Sequence, residues 1–553
     1  MPSVQPAAPR RLRSWMPVLA TCGLACLLLM PFAATPIPPL LDYPDHVAEM
    51  FVIARTPSDP VLASVYSIHW SIVANSGVEL LMPPLLRWLP LWPTGEAFLI
   101  LSLLLPLAGA AVFSRAVFRQ WSAWPLASGL VAYNALFLLG FMNFQIGIGC
   151  AFLAAAAWVA LRNRAPIRTI LAGCAVTVAL FFVHLFGLAF FALLVGAHEL
   201  TALIGPPGRR WPGLGVVIRR LLPDALMFVA PAVLVMFSRV AGPAGAVMRH
   251  PLNLKLGELF YPFLTYYQMA DRLVAGALLA TMAGLLIWRR ARIAPQAAVA
   301  IVVLMAAWPF VPHVYKDTGY IDARFPIIMG FLLFAGFAPV RLPRRVAQLL
   351  AGGVAIAMVV RIGMITDVWR GHTADLAELQ RVMAHVEPGS QVLAVDVPSA
   401  QVIPYWRTHR RNWLTAAFIK TYYHLPALLV TERHAFWPRL FTGAGKQPVI
   451  VNPAYAGFSA PEGELPDYHE VLADQPTPQA LAEAPYLEGW HTKFGYVLLV
   501  AAGAAEDLGQ LRPDRLALIE RTEFAALYRI LPPSPTVPST KGAAVAPSDG
   551  GTL

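Results

Sequence analysis

Residues 10–49 read RRLRSWMPVLATCGLACLLLMPFAATPIPPLLDYPDHVAE. Three arginines come first, an apolar run follows over 15–36, and an acidic cluster stands directly beyond it. A helix that crosses a bilayer needs about 20 mostly apolar residues. A secretory signal peptide also begins with positive charge, but no clean small-residue cleavage site follows this run. The stretch therefore predicts a retained transmembrane helix with carboxylates at its far end.

The 553-residue chain as a whole has the composition of an integral membrane protein. It is 57% hydrophobic and 13% charged, whereas soluble globular chains carry about 25% charged residues. Residues 1–365 hold 27 Lys/Arg and 12 Asp/Glu, a net charge of +15, and residues 366–553 hold 15 and 19, a net of −4. Because the basic excess belongs to the apolar part, it indicates membrane orientation rather than nucleic-acid binding. All four cysteines also lie there, which excludes a disulfide framework or a cysteine-ligated zinc site in the tail.

The apolar runs predict eleven transmembrane spans. Their approximate bounds are 15–36, 96–114, 122–140, 144–161, 169–185, 187–204, 221–240, 273–288, 294–311, 325–340 and 346–364.

The arginines fix the expected orientation of these spans. With the N-terminus inside, the loops on that side contain 18 arginines and no Asp or Glu, and short loops are where the charge bias counts. This predicts a multi-pass protein of the cytoplasmic (inner) membrane, with 37–95, 241–272, 312–324 and the tail from 366 outside. The arginines are Arg10, Arg11, Arg13, Arg115, Arg119, Arg162, Arg164, Arg168, Arg209, Arg210, Arg219, Arg220, Arg289, Arg290, Arg292, Arg341, Arg344 and Arg345.

The expected fold class is a polytopic α-helical membrane protein with a C-terminal soluble α/β domain. The predicted domains are a cytoplasmic N-terminus over 1–14, a transmembrane domain over 15–365 with its first outer loop at 37–95, an extracytoplasmic domain over 366–531 and a disordered tail over 532–553. Amphipathic periodicity predicts a helix over Thr373–His385. Apolar runs bounded by turn residues predict strands over Gln391–Val397, Ala427–Thr431, Pro448–Asn452, Tyr496–Ala501 and Ala525–Leu531.

The first outer loop opens with Asp42, Tyr43, Pro44, Asp45 and His46. Asp45 can cap a helix that begins near His46. Two interpretations stay open: a capped helix at the membrane surface with solvated charges, or a carboxylate that takes a proton from an acceptor.

A second polar cluster, 313–324, precedes the tenth span. Arg324 and Lys316 can bind a phosphate, the first in a fork geometry and the second as a point charge. The alternative is that they pair with Asp317 and Asp322, or that they extend toward lipid headgroups.

Uncharged polar residues stand near the outer ends of several spans. They include Asn134, Asn143, Gln145 and His184. Polar groups within a membrane often face the protein interior and serve function, but such residues also form hydrogen bonds between helices.

Four stretches carry a resemblance to a known family: DYPDH at 42–46, GFMNFQIGIG at 140–149, HLFG at 184–187 and YHLPALLVTERHAFWPRLF at 423–441. Together with the arrangement of spans and the acidic first outer loop, they make the chain similar to the GT-C class of integral-membrane glycosyltransferases. The stretches also resemble a group of bacterial membrane proteins with the same layout.

The resemblance implies a GT-C-like fold and a donor sugar carried on polyprenyl phosphate. It implies that Asp42 or Asp45 deprotonates the acceptor, and that Lys316 and Arg324 hold the leaving phosphate. In many GT-C members two acidic residues are adjacent, whereas Tyr43 and Pro44 separate them here, so the choice of base stays open. The other residues expected at the substrate are His46, Tyr43, Asn143, Gln145, His184, His313, Tyr315, Tyr320 and Asp322.

The expected partners are the lipid bilayer, the polyprenyl-phosphate-linked sugar and an unidentified acceptor, with no nucleic acid. No metal ligand is predicted, and a divalent cation stays open as a cofactor.

Two other functions fit the same composition. A transporter or flippase of lipid-linked envelope intermediates would place charges at mid-bilayer and could show inverted repeats. A non-enzymatic membrane assembly subunit would bind a partner through its tail and would tolerate substitution of the acids in the first outer loop.

Overall fold

A computed structural model describes residues 10–205, 212–238, 247–316, 318–409, 413–415 and 419–532, with side chains from residue 18 onward. The segment 533–553, most of the predicted disordered tail, lies outside the described residues, as does Asp317.

The first 383 residues are mainly helical. In chain order the α-helices are α1 Arg10–Leu29, α2 Tyr43–Arg55, α3 Pro60–Val65, α4 Gly77–Leu85, α5 Leu91–Phe118, α6 Ala135–Leu138, α7 Met142–Leu161, α8 Pro166–Val183, α9 Leu185–Ile204, α10 Leu214–Leu226, α11 Val229–Phe237, α12 Leu252–Glu258, α13 Gln268–Ile287, α14 Pro295–Ala307, α15 Arg324–Ala335 and α16 Arg344–Met383.

Six of these helices, α5, α7, α8, α9, α13 and α16, are long and apolar enough to cross a membrane. The pair α10 and α11 passes the same test as one span with a bend of 42°. Shorter apolar helices cover Val18–Ala34, Pro295–Phe310 and Arg324–Ala335. Ten of the eleven predicted spans thus coincide with apolar helices, and the chain is a multi-pass membrane protein.

The predicted span 122–140 is not a regular α-helix. It consists of a 3-10 helix over Trp124–Val131 followed by the single turn of α6. Nearly all of its residues are buried, and irregular backbone is tolerated at membrane depth only where protein covers it. The prediction of a helix here was wrong because an apolar run shows burial but not regularity.

This irregular segment nevertheless carries the chain from one end of the bundle to the other. Helices α5 and α7 run parallel, since Leu105 and Phe113 of α5 meet Gly149 and Phe152 of α7 in the same order. Two consecutive parallel helices require the chain between them to return. The chain therefore returns over 122–140 although its backbone there is not a regular α-helix.

The break expected between the predicted spans 169–185 and 187–204 is present, and the two helices form a hairpin. Helix α8 ends at Val183, α9 begins at Leu185, and extended His184 between them accepts a hydrogen bond from the Phe186 N–H (3.1 Å) with its Nδ1. Helices α7 and α9 run parallel, with Gly147 against Gly187 near one end and the Trp158 Nε1–H donating to Glu199 (2.9 Å) near the other.

The segments that hold Arg162, Arg220, Arg290 and Arg341 meet at one end of the bundle, which we call the arginine-rich end. Arg162 donates to Asp224 (2.9 Å), Arg220 binds Glu199, and Arg290 donates to the Arg341 carbonyl (2.7 Å). Contact between His198 of α9 and Gln296 of α14 joins these groups. The end away from them, which we call the site end, carries the starts of α7, α9 and α15.

The C-terminal part is an α/β domain built on the end of α16. Its helices are α17 Ser399–His409, α18 Leu428–Arg433, α19 His469–Leu472, α20 Pro478–Glu483, α21 Trp490–Lys493 and α22 Leu508–Leu511. A four-stranded sheet has the order β6 (Val392–Val395), β8 (Tyr496–Val500), β10 (Ala525–Ile530) and β9 (Leu516–Arg521); β6 and β8 are parallel and the other pairs antiparallel. Outside the domain, short strands pair β2 (Val247–Met248) with β4 (Val314–Tyr315) and β3 (Ala291–Ile293) with β5 (Phe337–Pro339).

Two of the strands predicted in this domain differ from the prediction: one is a helix, and the other pairs with a strand outside the domain. Ala427–Thr431 was predicted as a strand but lies mostly in α18, since a short apolar run does not distinguish a buried helix from a strand. The strand predicted at Pro448–Asn452 exists as β7 (Val449–Val451), but it pairs with β1 (Tyr66–Ile68) of the first loop. The first loop and the C-terminal domain are therefore joined by a shared sheet.

Candidate functional site

Asp42 stands where two of the quoted motifs meet. Its N–H donates to the Leu139 carbonyl (3.0 Å), and the Leu41 N–H donates to that of Leu138 (3.2 Å). Gly140 has φ +88°, and a Cβ there would lie 2.9 Å from the Tyr43 nitrogen. Two features therefore require glycine at position 140, namely its backbone conformation and the close approach of Tyr43. The segment after α6 fixes the position of Asp42 through these backbone contacts.

Helix α2 begins at Tyr43, so the prediction that Asp45 caps a helix starting near His46 was wrong. Asp42 is the N-cap residue, although its side chain makes no capping hydrogen bond. Asp45 lies in the first turn and is fully buried. Its Oδ1 accepts a hydrogen bond from the Phe441 N–H (3.1 Å), which belongs to the C-terminal domain. Burial raises the pKa of Asp45 to about 7, against the opposing effects of His424, this hydrogen bond and His46.

His424 of the C-terminal domain reaches both carboxylates. Its Nδ1 lies 3.1 Å from Asp42 Oδ1 and 3.8 Å from Asp45 Oδ2. Burial alone would lower the pKa of His424, but Asp42 and Asp45 raise it above the ordinary value. The site therefore favours an imidazolium between two acids.

A second group of acids lies next to this pair on α2 and α4. His46 Nδ1 is 3.8 Å from Glu49 Oε2 and 3.9 Å from Glu79 Oε1. Burial raises the pKa of Glu49 to about 8, although the nearby His46 opposes the shift. Asn143 fixes Glu79 by donating to its Oε2 (2.9 Å). One ligand atom each from His46, Glu49 and Glu79 lie within 4.8 Å of one another, so this group could hold a divalent cation.

A cavity of about 260 Å³ at the site end, the first cavity, brings together residues from distant parts of the chain. Asp42, His46 and Glu79 come from the first loop, and Asn143, His184 and Arg324 come from the starts of α7, α9 and α15. The C-terminal domain adds Phe441, Lys446 and Glu462.

Arg324 is the unusual member of this lining because it is a buried cation held mainly by aromatic rings. Its guanidinium lies 5.4, 5.8 and 5.0 Å from the ring centroids of Phe141, Phe144 and Phe186. It donates to the Gly319 carbonyl (3.3 Å), while its Nε has no hydrogen-bond partner. Among the described residues no carboxylate oxygen lies within 4.0 Å of it, and a buried charge without a counterion is costly. The arrangement is suited to an anionic ligand.

A second cavity, of about 370 Å³, adjoins the first on the side of the C-terminal domain. Asp42, Phe141, Gly319, Phe441 and Glu462 line both cavities. The lining of the second also includes Tyr320, Ser399, Lys420, Tyr423, His424 and Glu464. Asp42 thus stands at the boundary between two spaces, one lined by Arg324 and the other by aromatic groups and by Lys420, which is paired with Asp396.

Several residues expected at the substrate lie elsewhere. Tyr43 is fully buried, with its ring centroid 6.2 Å from that of Trp92, and Gln145 is buried and donates to Asn134 (2.9 Å). Tyr315 is exposed, and Lys316 contacts its ring. None of these four lines either cavity.

His313 and Asp322 also lie outside both cavities, in contact with each other (2.8 Å). They form part of a separate buried cluster with His250 and Glu258.

Sequence reasoning missed the site residues that the C-terminal domain supplies, His424 and Phe441. Both belong to the stretch 423–441 that carried the family resemblance, which was the available signal. It also missed Asn75, whose Oδ1 accepts from the Leu185 N–H (2.8 Å) and whose carbonyl accepts from Asn143 (2.8 Å). No pattern around Asn75 marks it, since its role follows from packing between distant helices.

Among solved structures, a distant match covers nearly the full length of the chain. No protein-family model and no curated protein matches the sequence. A crystal structure of ArnT from Cupriavidus metallidurans bound to undecaprenyl phosphate superposes with a TM-score of 0.45 and 14% sequence identity, covering 93% of this chain and 97% of that one. A TM-score of 0.45 is too low to decide a function, so the assignment depends on the site.

Proposed function

We propose that this protein is a membrane glycosyltransferase that moves a sugar from a polyprenyl-phosphate carrier to an acceptor. The proposal depends on the first cavity, in which a carboxylate, Asp42, shares one space with a buried cation, Arg324, that has no carboxylate partner among the described residues. Glycosyl transfer from a lipid phosphate needs both, because one group must take a proton and another must hold the departing phosphate.

Asp42 is the proposed general base. It lines both cavities, whereas Asp45 is fully buried, lines neither of them, and is held by the Phe441 N–H. A base must come within hydrogen-bond reach of the proton that it removes. Geometry therefore favours Asp42, with His424, which lies between Asp42 and Asp45, holding it in place.

The proposed reaction is a displacement at the anomeric carbon of the donor sugar. An acceptor hydroxyl or amine loses its proton to Asp42 and forms a bond to that carbon, while the bond to the phosphate oxygen breaks. The polyprenyl phosphate leaves with the electron pair. Arg324 offsets the negative charge that develops on the oxygens of the leaving phosphate. The planar guanidinium can donate two parallel hydrogen bonds to a phosphate.

The two cavities suggest separate places for the two substrates. The donor phosphate belongs beside Arg324 in the first cavity, with His184 and Asn143 near the sugar. The acceptor belongs in the second cavity, where Tyr320 and Tyr423 provide aromatic faces and Glu464 a polar group. Asp42 lies where the two would meet.

The site end is proposed to face outward from the cytoplasmic membrane. The arginine-containing loops collect at the opposite end of the bundle, and such loops stay on the cytoplasmic side. A lipid-linked donor suits the outer face, where nucleotide sugars are absent.

The test is sugar transfer from a polyprenyl-phosphate donor by the full-length protein in reconstituted vesicles. Replacement of Asp42 by Asn keeps the size of the side chain but removes the base, so turnover should fall by about 10²–10⁴-fold. Turnover like that of the wild type in Asp42→Asn would overturn the assignment of the base.

A matched control is Asp467→Asn, which changes an exposed aspartate of the C-terminal domain that pairs with His469 and should leave turnover unchanged. A transporter would instead move the lipid-linked sugar across the vesicle without releasing polyprenyl phosphate. Measurement of both the released lipid phosphate and the transported donor separates the two functions.

A further inference from the structure

A buried cluster of two histidines and two carboxylates lies outside both cavities. Its members are His250, Glu258, His313 and Asp322, which we call the loop cluster. The side chains of Glu258 and Asp322 are 2% and 0% exposed, that of His313 is 9% exposed, and that of His250, at the edge of the cluster, is 23% exposed. They come from two segments, 247–258 and 313–322, that the pairing of β2 with β4 brings side by side.

The ligand atoms of the loop cluster converge on a small volume. His250 Nδ1 lies 2.9 Å and His313 Nδ1 3.7 Å from Glu258 Oε1, and His313 Nδ1 lies 2.8 Å from Asp322 Oδ1. One ligand atom from each of the four residues lies within 4.8 Å of the others. In a tetrahedral site with bonds of 2.0–2.2 Å, ligand atoms are about 3.4 Å apart. The observed separations lie on both sides of this value, so small adjustments would admit an ion.

We propose that the loop cluster binds one divalent transition-metal ion of the Zn²⁺ type. Two imidazoles with two carboxylates are a donor set that suits Zn²⁺ or Co²⁺, whereas Mg²⁺ and Ca²⁺ prefer oxygen ligands alone. Both histidines direct Nδ1 toward the same oxygen of Glu258, and their rings stack with centroids 3.6 Å apart.

The charges in the cluster are consistent with a bound cation. Lys255 Nζ lies 3.3 Å from Asp322 Oδ2 and donates to the Trp308 carbonyl (3.2 Å). Asp322 Oδ1 accepts from the Ala323 N–H (3.0 Å), which leaves its second lone pair, on the side of His313 Nδ1, for the ion. Glu258 Oε2 is buried and has no hydrogen-bond partner. With neutral imidazoles, two carboxylates and one ammonium leave one negative charge without compensation in a buried place, and a dication would stabilise it.

The metal would hold the segment that leads to Arg324. His313 accepts from the Ile321 N–H through its carbonyl (3.0 Å), its ring packs 4.9 Å from that of Tyr320, and Arg324 donates to Gly319. Tyr320, Gly319 and Arg324 line the cavities, but the loop-cluster residues do not. The ion would therefore be structural and would fix the position of Arg324. The effect of that position on sugar transfer rests on the proposed function, whereas the binding of the ion does not.

The test is metal binding by the full-length protein in detergent, purified without a polyhistidine tag and stripped with a chelator. After loading with Zn²⁺ or Co²⁺ and removal of excess ion, the wild type should retain about one ion per chain by elemental analysis. The Co²⁺ form should show visible d–d absorption, and X-ray absorption of the Zn²⁺ form should show two imidazole ligands. Because these measurements use the wild type, they do not depend on the folding of any variant.

Variants locate the ion. His250→Ala and His313→Ala should each lose the retained ion and the Co²⁺ absorption, whereas His46→Ala and the exposed His469→Ala should keep both.

Retention of no ion by the wild type would overturn the proposal. Loss of the ion in His46→Ala, with the ion kept in the His250 and His313 variants, would also overturn the proposal. The ion would then lie at the group formed by His46, Glu49 and Glu79. Metal content is measured without turnover, so a protein that binds the ion but transfers no sugar would refute the proposed function and leave this site standing.

Discussion

At the scale of single residues, the site depends on two charged side chains in opposite surroundings. Asp42 stands among other acids and is contacted by His424 (3.1 Å), whereas Arg324 is enclosed by three aromatic rings. Aromatic faces stabilise a guanidinium only modestly, so its capacity to bind an anion is retained. The pair therefore combines a group that can accept a proton with a group that can hold a phosphate.

His424 is expected to act as a positioning residue for Asp42. A hydrogen bond or ion pair with a charged group contributes about 1.5–3 kcal/mol, so His424→Ala should lower kcat by about 10–100-fold. The KM for the donor should change little, because His424 lines only the second cavity.

The conservative variant His424→Gln keeps an N–H donor and should recover part of the lost kcat, which a purely structural defect would not predict. His469→Ala, in the same domain, is the matched control. A rise in KM with unchanged kcat in His424→Ala would show that this residue binds substrate instead.

At the scale of elements, the sequence predicted the helices better than their connections. Apolar length and the arginine loops were sufficient for ten spans and for the hairpin at His184, because both signals are local. They were insufficient for 122–140, where burial by neighbouring helices permits a 3-10 helix and a single turn. They also could not show that β7 leaves the C-terminal sheet to pair with β1, since the partners are separated by nearly 400 residues.

The same limit applies to the site. Asp42 and Arg324 were predicted because charged residues at the ends of apolar runs are conspicuous, and they line one cavity. Lys316 was chosen as a cation, Gln145 as a polar group near the end of a span, and Tyr43 and Tyr315 as aromatic groups beside the charged residues; none of the four lines it. Neighbours on a helix point to different faces, so sequence proximity does not imply a shared cavity.

Gly140 provides a test of how the elements position the site. An alanine there would take a left-handed backbone conformation, which costs about 1–2 kcal/mol, and its Cβ would press on the Tyr43 nitrogen. Gly140→Ala should therefore lower both the melting temperature in detergent and the rate of sugar transfer.

The control is Gly276→Ala, within α13, where a Cβ meets nothing within 4 Å. Alanine is preferred over glycine inside a helix by about 1 kcal/mol, so this variant should melt at the same or a higher temperature. Equal behaviour of the two variants would contradict the role assigned to Gly140.

At the scale of the whole molecule, the C-terminal domain completes the site. The domain shares a sheet with the first loop, places His424 against Asp42, and donates the Phe441 N–H to Asp45. A further contact joins Thr373 of α16 to the Ala34 carbonyl (2.8 Å). These contacts explain why a catalytic function cannot be assigned to the membrane helices alone.

The proposed phosphate site at Arg324 is tested by the affinity of the full-length protein in detergent for a polyprenyl phosphate and for the matching uncharged polyprenol. The wild type should bind the phosphate more tightly than the alcohol, and Arg324→Gln should lose most of that preference while its affinity for the alcohol stays the same. Equal affinity of the wild type for both lipids, or an unchanged preference in Arg324→Gln, would contradict the account.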